Sequence, residues 1–171
     1  MAIEALIIDD SPIARRVIRH HLEQIGCKVV DEAENPCSGL RLFRERKPQL
    51  VTLDLIMPAV DGIDALQAFQ AMKKENPRAE IVIVSAIPFE KTRRTMAEEG
   101  ALAYIVKPFN KFSFDQARMR LLRAFPELAG VAQVPAARQQ GAGPQYSRPI
   151  AGITPQRSGS AAGRFLRILQ K

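Results

Sequence analysis

Three carboxylates, a hydroxyl and an ammonium follow or close short apolar runs. Asp9 and Asp10 follow Ala5–Ile8, and Asp54 lies inside Leu50–Ile56. Ser85 closes Glu80–Ser85, and Lys107 follows Leu102–Val106. Apolar runs of this length read as buried strands, so four strand ends carry polar groups. Three carboxylates brought into one pocket repel each other unless a cation joins them. An all-oxygen donor set completed by water suits Mg²⁺. An aspartate can act as a nucleophile and take up a phosphoryl group. A lysine supplies a point charge for a phosphate oxygen, and a serine hydroxyl can bond the group once attached. Phosphoryl transfer needs positioning and charge neutralisation, and this set offers both.

The groups meet only if the strands lie side by side. Ser11-Pro12 predicts a helix start by cap and first-turn proline, and Ile13, Val17, Ile18, Leu22 and Ile25 give it an apolar face. Cys27–Val30 reads as the second strand. Asn35-Pro36 opens a second helix, broken near Pro48. The third strand is expected over Leu50–Ile56, a loop over Met57–Gly62, and a third helix on Ile63, Leu66, Phe69 and Met72. A helix over Pro88–Glu99 precedes the fifth strand, and another spans Phe112–Phe125. Five strands alternating with five helices predict a doubly wound α/β fold with a parallel sheet and helices on both faces. In the flavodoxin-like order 2-1-3-4-5, the four polar strand ends are neighbours, and ligands bind outside the carboxyl ends of such strands.

With those residues in place, the sequence resembles the receiver domains of two-component response regulators, in particular the chemotaxis type. The resemblance covers residues 1–125 and rests on Asp9-Asp10, Leu53–Pro58 around Asp54, Asp61-Gly62, Ser85-Ala86 and Lys107–Phe109. It implies that Asp54 is the phosphoacceptor, served by a sensor histidine kinase or phosphotransfer protein. It implies that Asp10, Asp54 and the backbone carbonyl of Ile56 hold Mg²⁺, with Asp9 acting through a metal-bound water. Lys107 would bridge to the phosphate, Ser85 would bond it after transfer, and Tyr104 matches the aromatic switch position. The output is implied to be a downstream protein target reading the face of the fourth helix, fifth strand and fifth helix. The Lys107–Pro108 bond is implied to be cis. Ile56 is apolar where some relatives carry a polar residue at the phosphoryl site, and Lys91, Arg93 and Arg94 give the output face an expected basic character.

Rival chemistries lack parts. A phosphatase of the haloacid dehalogenase class needs a second acid two residues after its nucleophile, and Ile56 stands there. A dinucleotide site needs a glycine-rich loop after the first strand, where Asp9–Pro12 lies instead. The expectation is a phosphorylation switch more than an enzyme. Cys27 and Cys37 are too few for a disulfide framework, and the neighbouring His20 and His21 point in different helical directions.

Residues 1–125 hold 19 basic and 17 acidic residues, whereas 126–171 hold 6 basic and one acidic. The second segment also carries 6 of the 10 glycines and 5 of the 12 prolines. It reads as a flexible linker over 126–160 and a candidate short basic amphipathic helix over 161–171. Such a tail favours an anionic partner, such as nucleic acid, nucleotides or an acidic protein surface, and the resemblance to receivers with arginine-rich extensions implies a cyclic dinucleotide as a further candidate. It is too small for a DNA-binding output domain. With no signal-peptide pattern and no apolar run near the ~18 residues of a membrane span, the chain is expected to be cytoplasmic.

Overall fold

The computed structural model describes residues 2–109 and 111–130. The elements are β1 (Ile3–Ile8), α1 (Pro12–Gln24), β2 (Cys27–Ala33), α2 (Pro36–Arg46), β3 (Leu50–Leu53), α3 (Ala65–Glu75), β4 (Glu80–Ser85), α4 (Glu90–Glu98), β5 (Ala103–Val106) and α5 (Lys111–Ala124). The strands are all parallel, in the order β2-β1-β3-β4-β5. This is the expected doubly wound, flavodoxin-like (βα)5 sheet.

Strand alternation divides the core into two layers. Leu6 and Ile8 of β1, with Ile81 and Ile83 of β4, pack with Phe43, Phe69, Met72 and Met96. Ile3, Ala5 and Ile7, with Val82 and Val84, pack with Ile18, Leu22, Ala117 and Leu121 on the other face. The central strands bury both faces, so their sequences are apolar almost throughout.

The helix starts follow their caps. Ser11 accepts from Ala14 N, and Asn35 accepts from Ser38 N. The third helix begins two residues later than its apolar pattern. Asp64 and Gln67 form a reciprocal capping box, while Ile63 pairs with Val60. α4 starts at Glu90, after Pro88, with Phe89 as an N-cap that offers no side-chain bond.

Gly39 faces β1 so closely that an added Cβ would lie 2.6–2.9 Å from three carbons of Ile8. A Gly39→Ala change gains up to ~1 kcal/mol of helix propensity. Overpacking against a fully buried side chain costs about 1–3 kcal/mol, so the overlap should win. Chemical denaturation should show a net loss of up to about 2 kcal/mol for Gly39→Ala. Ile8 precedes Asp9, so the same strain bears on the strand end below.

The packed unit continues past residue 125, where the linker was expected to begin. Pro126–Gly130 forms a 3-10 turn, and Leu128 is buried beside Phe125 and Leu121. Linker-like composition conceals one apolar residue that caps the lower layer. The expected linker beyond this turn and the helix over 161–171 lie outside the described residues. Among the described residues, no helix is long and apolar enough to cross a membrane.

Candidate functional site

The carboxyl edge of the sheet brings together the polar strand ends of β1, β3, β4 and β5. Carboxylate oxygens from Asp9, Asp10 and Asp54 lie within 4.8 Å of one another. Asp9 and Asp54 are buried and Asp10 is exposed. Lys107 Nζ bridges the two buried acids, 2.6 Å from Asp9 Oδ2 and 2.7 Å from Asp54 Oδ2. The Lys107–Pro108 bond is cis, as expected.

Asp54 lies one residue beyond the end of β3, which was expected to run to Ile56. Its N–H still donates to Ile8 O at 2.9 Å. Its Oδ1 then accepts from Ile56 N at 2.9 Å. This side-chain turn replaces the strand ladder, so the chain bends away and Asp54 faces the pocket. The same turn places the Ile56 backbone beside the carboxylates and leaves its side chain 40% exposed.

Burial pushes the Asp54 carboxyl above the ordinary range; Ile56 N–H and Lys107 oppose this, and the charge of Asp9 adds to it. Burial alone would lower Lys107, but its hydrogen bonds to Asp54 and Asp9 outweigh it and hold the ammonium above its usual range. In the pocket, burial therefore makes the charged form of Asp54 costly, while its carboxylate partners favour the charged form of Lys107.

Ser85 is fully buried, and its Oγ accepts from Ile87 N at 3.4 Å. Tyr104 is half-buried and donates from its hydroxyl to Ile87 O at 2.8 Å. Burial pushes the Tyr104 phenol up to about 12, with the Ser85 hydroxyl opposing. Tyr104 also lines a groove of about 230 Å³ between α4 and α5, with Arg93, Arg94, Ala103 and Arg120.

The basic character expected of α4 is tempered. Arg93 lies near Glu90, and Arg94 pairs with Glu98 at 2.9 Å. Among the other residues read from sequence, His21 stacks on Phe114 with ring centroids 3.9 Å apart. Cys27 is buried, which pushes its thiol up to about 11. Cys37 donates to Asp61, which lies in a left-handed turn before Gly62.

One residue at the site escaped sequence reasoning. Arg15 on α1 donates to the backbone carbonyl of Asp9 at 2.7 Å and to Glu32 of β2 at 3.0 Å. Its helical position was visible, but its two partners converge only through folding.

A doubly wound sheet with a lysine-bridged acidic pocket on its carboxyl edge is the architecture of receiver-type signalling domains. The chain belongs to the response regulator receiver domain family, whose model matches residues 5–117. It is a receiver of the chemotaxis type. It is 35% identical over 124 residues to the chemotaxis protein CheY of Halobacterium salinarum, covering 72% of this chain and all of that one. It is 38% identical over 109 residues to the CheY of Bacillus subtilis, covering 64% of this chain and 88% of that one. The fold is similar to that in the CheX–CheY–BeF3–Mg²⁺ complex of Borrelia burgdorferi, with a TM-score of 0.62 and 21% identity. That match covers 71% of this chain and 88% of the other. Receiver domains bind Mg²⁺ at such an acidic pocket. The donors here fit that ion, being hard oxygen ligands in a compact cluster.

Proposed function

We propose that this receiver takes a phosphoryl group on Asp54 from a phosphorylated histidine of a sensor kinase or phosphotransfer protein. The observation that carries this reading is the placement of Asp54. It is a buried carboxylate within ligand distance of two further acids and 2.7 Å from a charged lysine. An Asp54 oxygen forms the new bond to phosphorus as the phosphorus–nitrogen bond of the donor breaks, and the imidazole keeps that electron pair.

Asp10, Asp54 and the Ile56 carbonyl would hold Mg²⁺ directly, and Asp9 through a water. The ion, when bound, supplies positive charge that lets an anionic phosphoryl group approach an anionic acceptor. Lys107 orients a phosphoryl oxygen by charge, and its bridge to Asp9 fixes where the ammonium sits. Ser85 offers its hydroxyl to the attached group. That exchange loosens the Ser85–Ile87–Tyr104 contacts and turns Tyr104 relative to the groove. The α4–β5–α5 face then presents a different surface to a downstream protein target.

The switch can be read without knowing the partner. On loading with beryllofluoride and Mg²⁺, backbone amide resonances of Tyr104, Arg93 and Ala103 should shift along with those beside Asp54. Shifts confined to the acidic pocket would contradict an output through this face.

A second reading rests on the charge of residues 126–171, with 6 basic residues against one acid. In it the tail is the output element and binds an anionic partner, such as nucleic acid or a cyclic dinucleotide. A chain ending at Gly130 retains Leu128 and so keeps the core intact. Salt-sensitive binding of either ligand that vanishes in this shorter chain would support the second reading over the first.

A further inference from the structure

We propose that Arg15 is a positioning residue for the metal pocket, fixing the Asp9–Asp10 peptide so that the exposed carboxylate of Asp10 is held toward Asp54. This rests on the reading of the acidic pocket as a Mg²⁺ site.

Asp9 is fully buried, so each of its polar atoms needs a partner. Its N–H donates to Ala33 O at 3.0 Å. Its Oδ1 accepts from Ser11 N at 3.0 Å, and its Oδ2 accepts from Lys107 at 2.6 Å. The remaining group is the backbone carbonyl, and Arg15 Nη1 serves it at 2.7 Å. That carbonyl belongs to the same rigid peptide plane as the N–H of Asp10. Holding the oxygen therefore sets the direction in which Asp10 leaves the strand.

Arg15 is itself held. Its Nε donates to Glu32 Oε2 at 3.0 Å, and the other oxygen of Glu32 accepts from Arg19 Nε at 2.8 Å. Glu32 is thereby gripped by two guanidinium groups from successive turns of α1. Because the guanidinium is planar, fixing Nε fixes the plane that carries Nη1. The arrangement ties α1, β2 and the end of β1 at one point, and only 17% of the Arg15 side chain is exposed.

A plain electrostatic role predicts the opposite result. A cation near three carboxylates opposes a divalent ion by charge repulsion, so removing it would tighten Mg²⁺ binding. A positioning role predicts weaker binding, because outer-shell partners of metal ligands typically cost about 10–100-fold in affinity when lost.

The test is a Mg²⁺ titration of the full chain and its Arg15→Ala, Arg15→Lys and Glu32→Gln variants, followed by amide chemical shifts. Circular dichroism checks that each is folded. The expected result is a Mg²⁺ midpoint about tenfold or more higher for Arg15→Ala. Arg15→Lys should also bind more weakly although it keeps the charge, since one ammonium cannot span both partners as the fork does. Glu32→Gln should shift the midpoint less. In Arg15→Ala the Asp10 amide should also move before any metal is added. Unchanged or tighter Mg²⁺ binding in the folded Arg15 variants would overturn the proposal while leaving the site reading intact. If Arg15→Ala does not fold, the Arg15→Lys and Glu32→Gln midpoints decide in the same way. Absence of Mg²⁺ binding by the unaltered chain would overturn the site reading and this inference with it.

Discussion

An Asp54→Asn variant is expected to lose phosphoryl uptake by at least about a thousandfold, since the attacking oxygen itself is replaced. It is also expected to be more stable than the unaltered protein at neutral pH without metal. Burial and the charge of Asp9 raise the Asp54 carboxyl above its ordinary value in the folded chain. The folded state therefore binds more protons than the unfolded state just above the ordinary carboxylate range. Stability then rises as pH falls through that window, and at neutral pH the ionised group is a cost. Asparagine has the same shape without the charge, so this pH dependence should flatten. Thermal unfolding of the two metal-free proteins across pH 4–8 would check both the order and the slope. Lower stability of the variant throughout would mean that the Lys107 bridge outweighs burial.

Lys107→Ala should have the opposite effect on stability. It leaves Asp9 and Asp54 buried and facing each other without their shared cation. Removing one partner of a buried pair costs about 3–5 kcal/mol. The lysine is 18% exposed, so solvent screens some of this; a loss of about 2–3 kcal/mol is expected. Mg²⁺ should restore part of it, because the ion neutralises the same carboxylates. The pH dependence has a definite sign. Lys107 is raised in the folded state, so its contribution is fully present below its unfolded value and is lost as pH climbs through the folded one. The variant should therefore lack the alkaline decline of the unaltered protein. Labelling of Asp54 should persist at reduced rate while the shifts at Tyr104 and Arg93 disappear, because no ammonium remains to orient the phosphoryl oxygens so that Ser85 can bond them. Amide spectra of the loaded variant test this, and full shifts at Tyr104 would show that the switch runs without the lysine.

Much of this architecture was legible because the sheet forces a simple code onto the sequence. A buried parallel strand is apolar until it ends, so Asp9, Asp54, Ser85 and Lys107 stood out against their runs. Ser11-Pro12 and Asn35-Pro36 announced two helices by caps whose bonds are local. The misplaced boundaries have local causes too. The third strand ends at Leu53 because Asp54 bonds its own loop at Ile56 N, which an apolar pattern does not register. The fourth helix starts after Pro88 because Phe89 keeps an extended backbone, with φ −70° and ψ 129°, so the first helical residue is Glu90.

What stayed hidden depends on partners far apart in the chain. In the sequence, Arg15 is one of several charges on an amphipathic helix. Its meaning comes from Glu32, 17 residues away, and from a backbone carbonyl that no side-chain pattern encodes. Leu128 lies where the composition already turns linker-like, yet it is buried beside Phe125 and Leu121. Arg93 and Arg94 were weighed as cations, although Glu90 and Glu98 stand at the spacings that pair them along a helix.

The acceptor can be identified chemically by exposing the full chain to acetyl phosphate with Mg²⁺, trapping the acyl phosphate with borohydride, and locating the reduced residue by mass spectrometry. A single Mg²⁺-dependent adduct at Asp54 is expected. An adduct at Asp9, Asp10 or elsewhere with Asp54 unmodified, or uptake that does not need Mg²⁺, would contradict it.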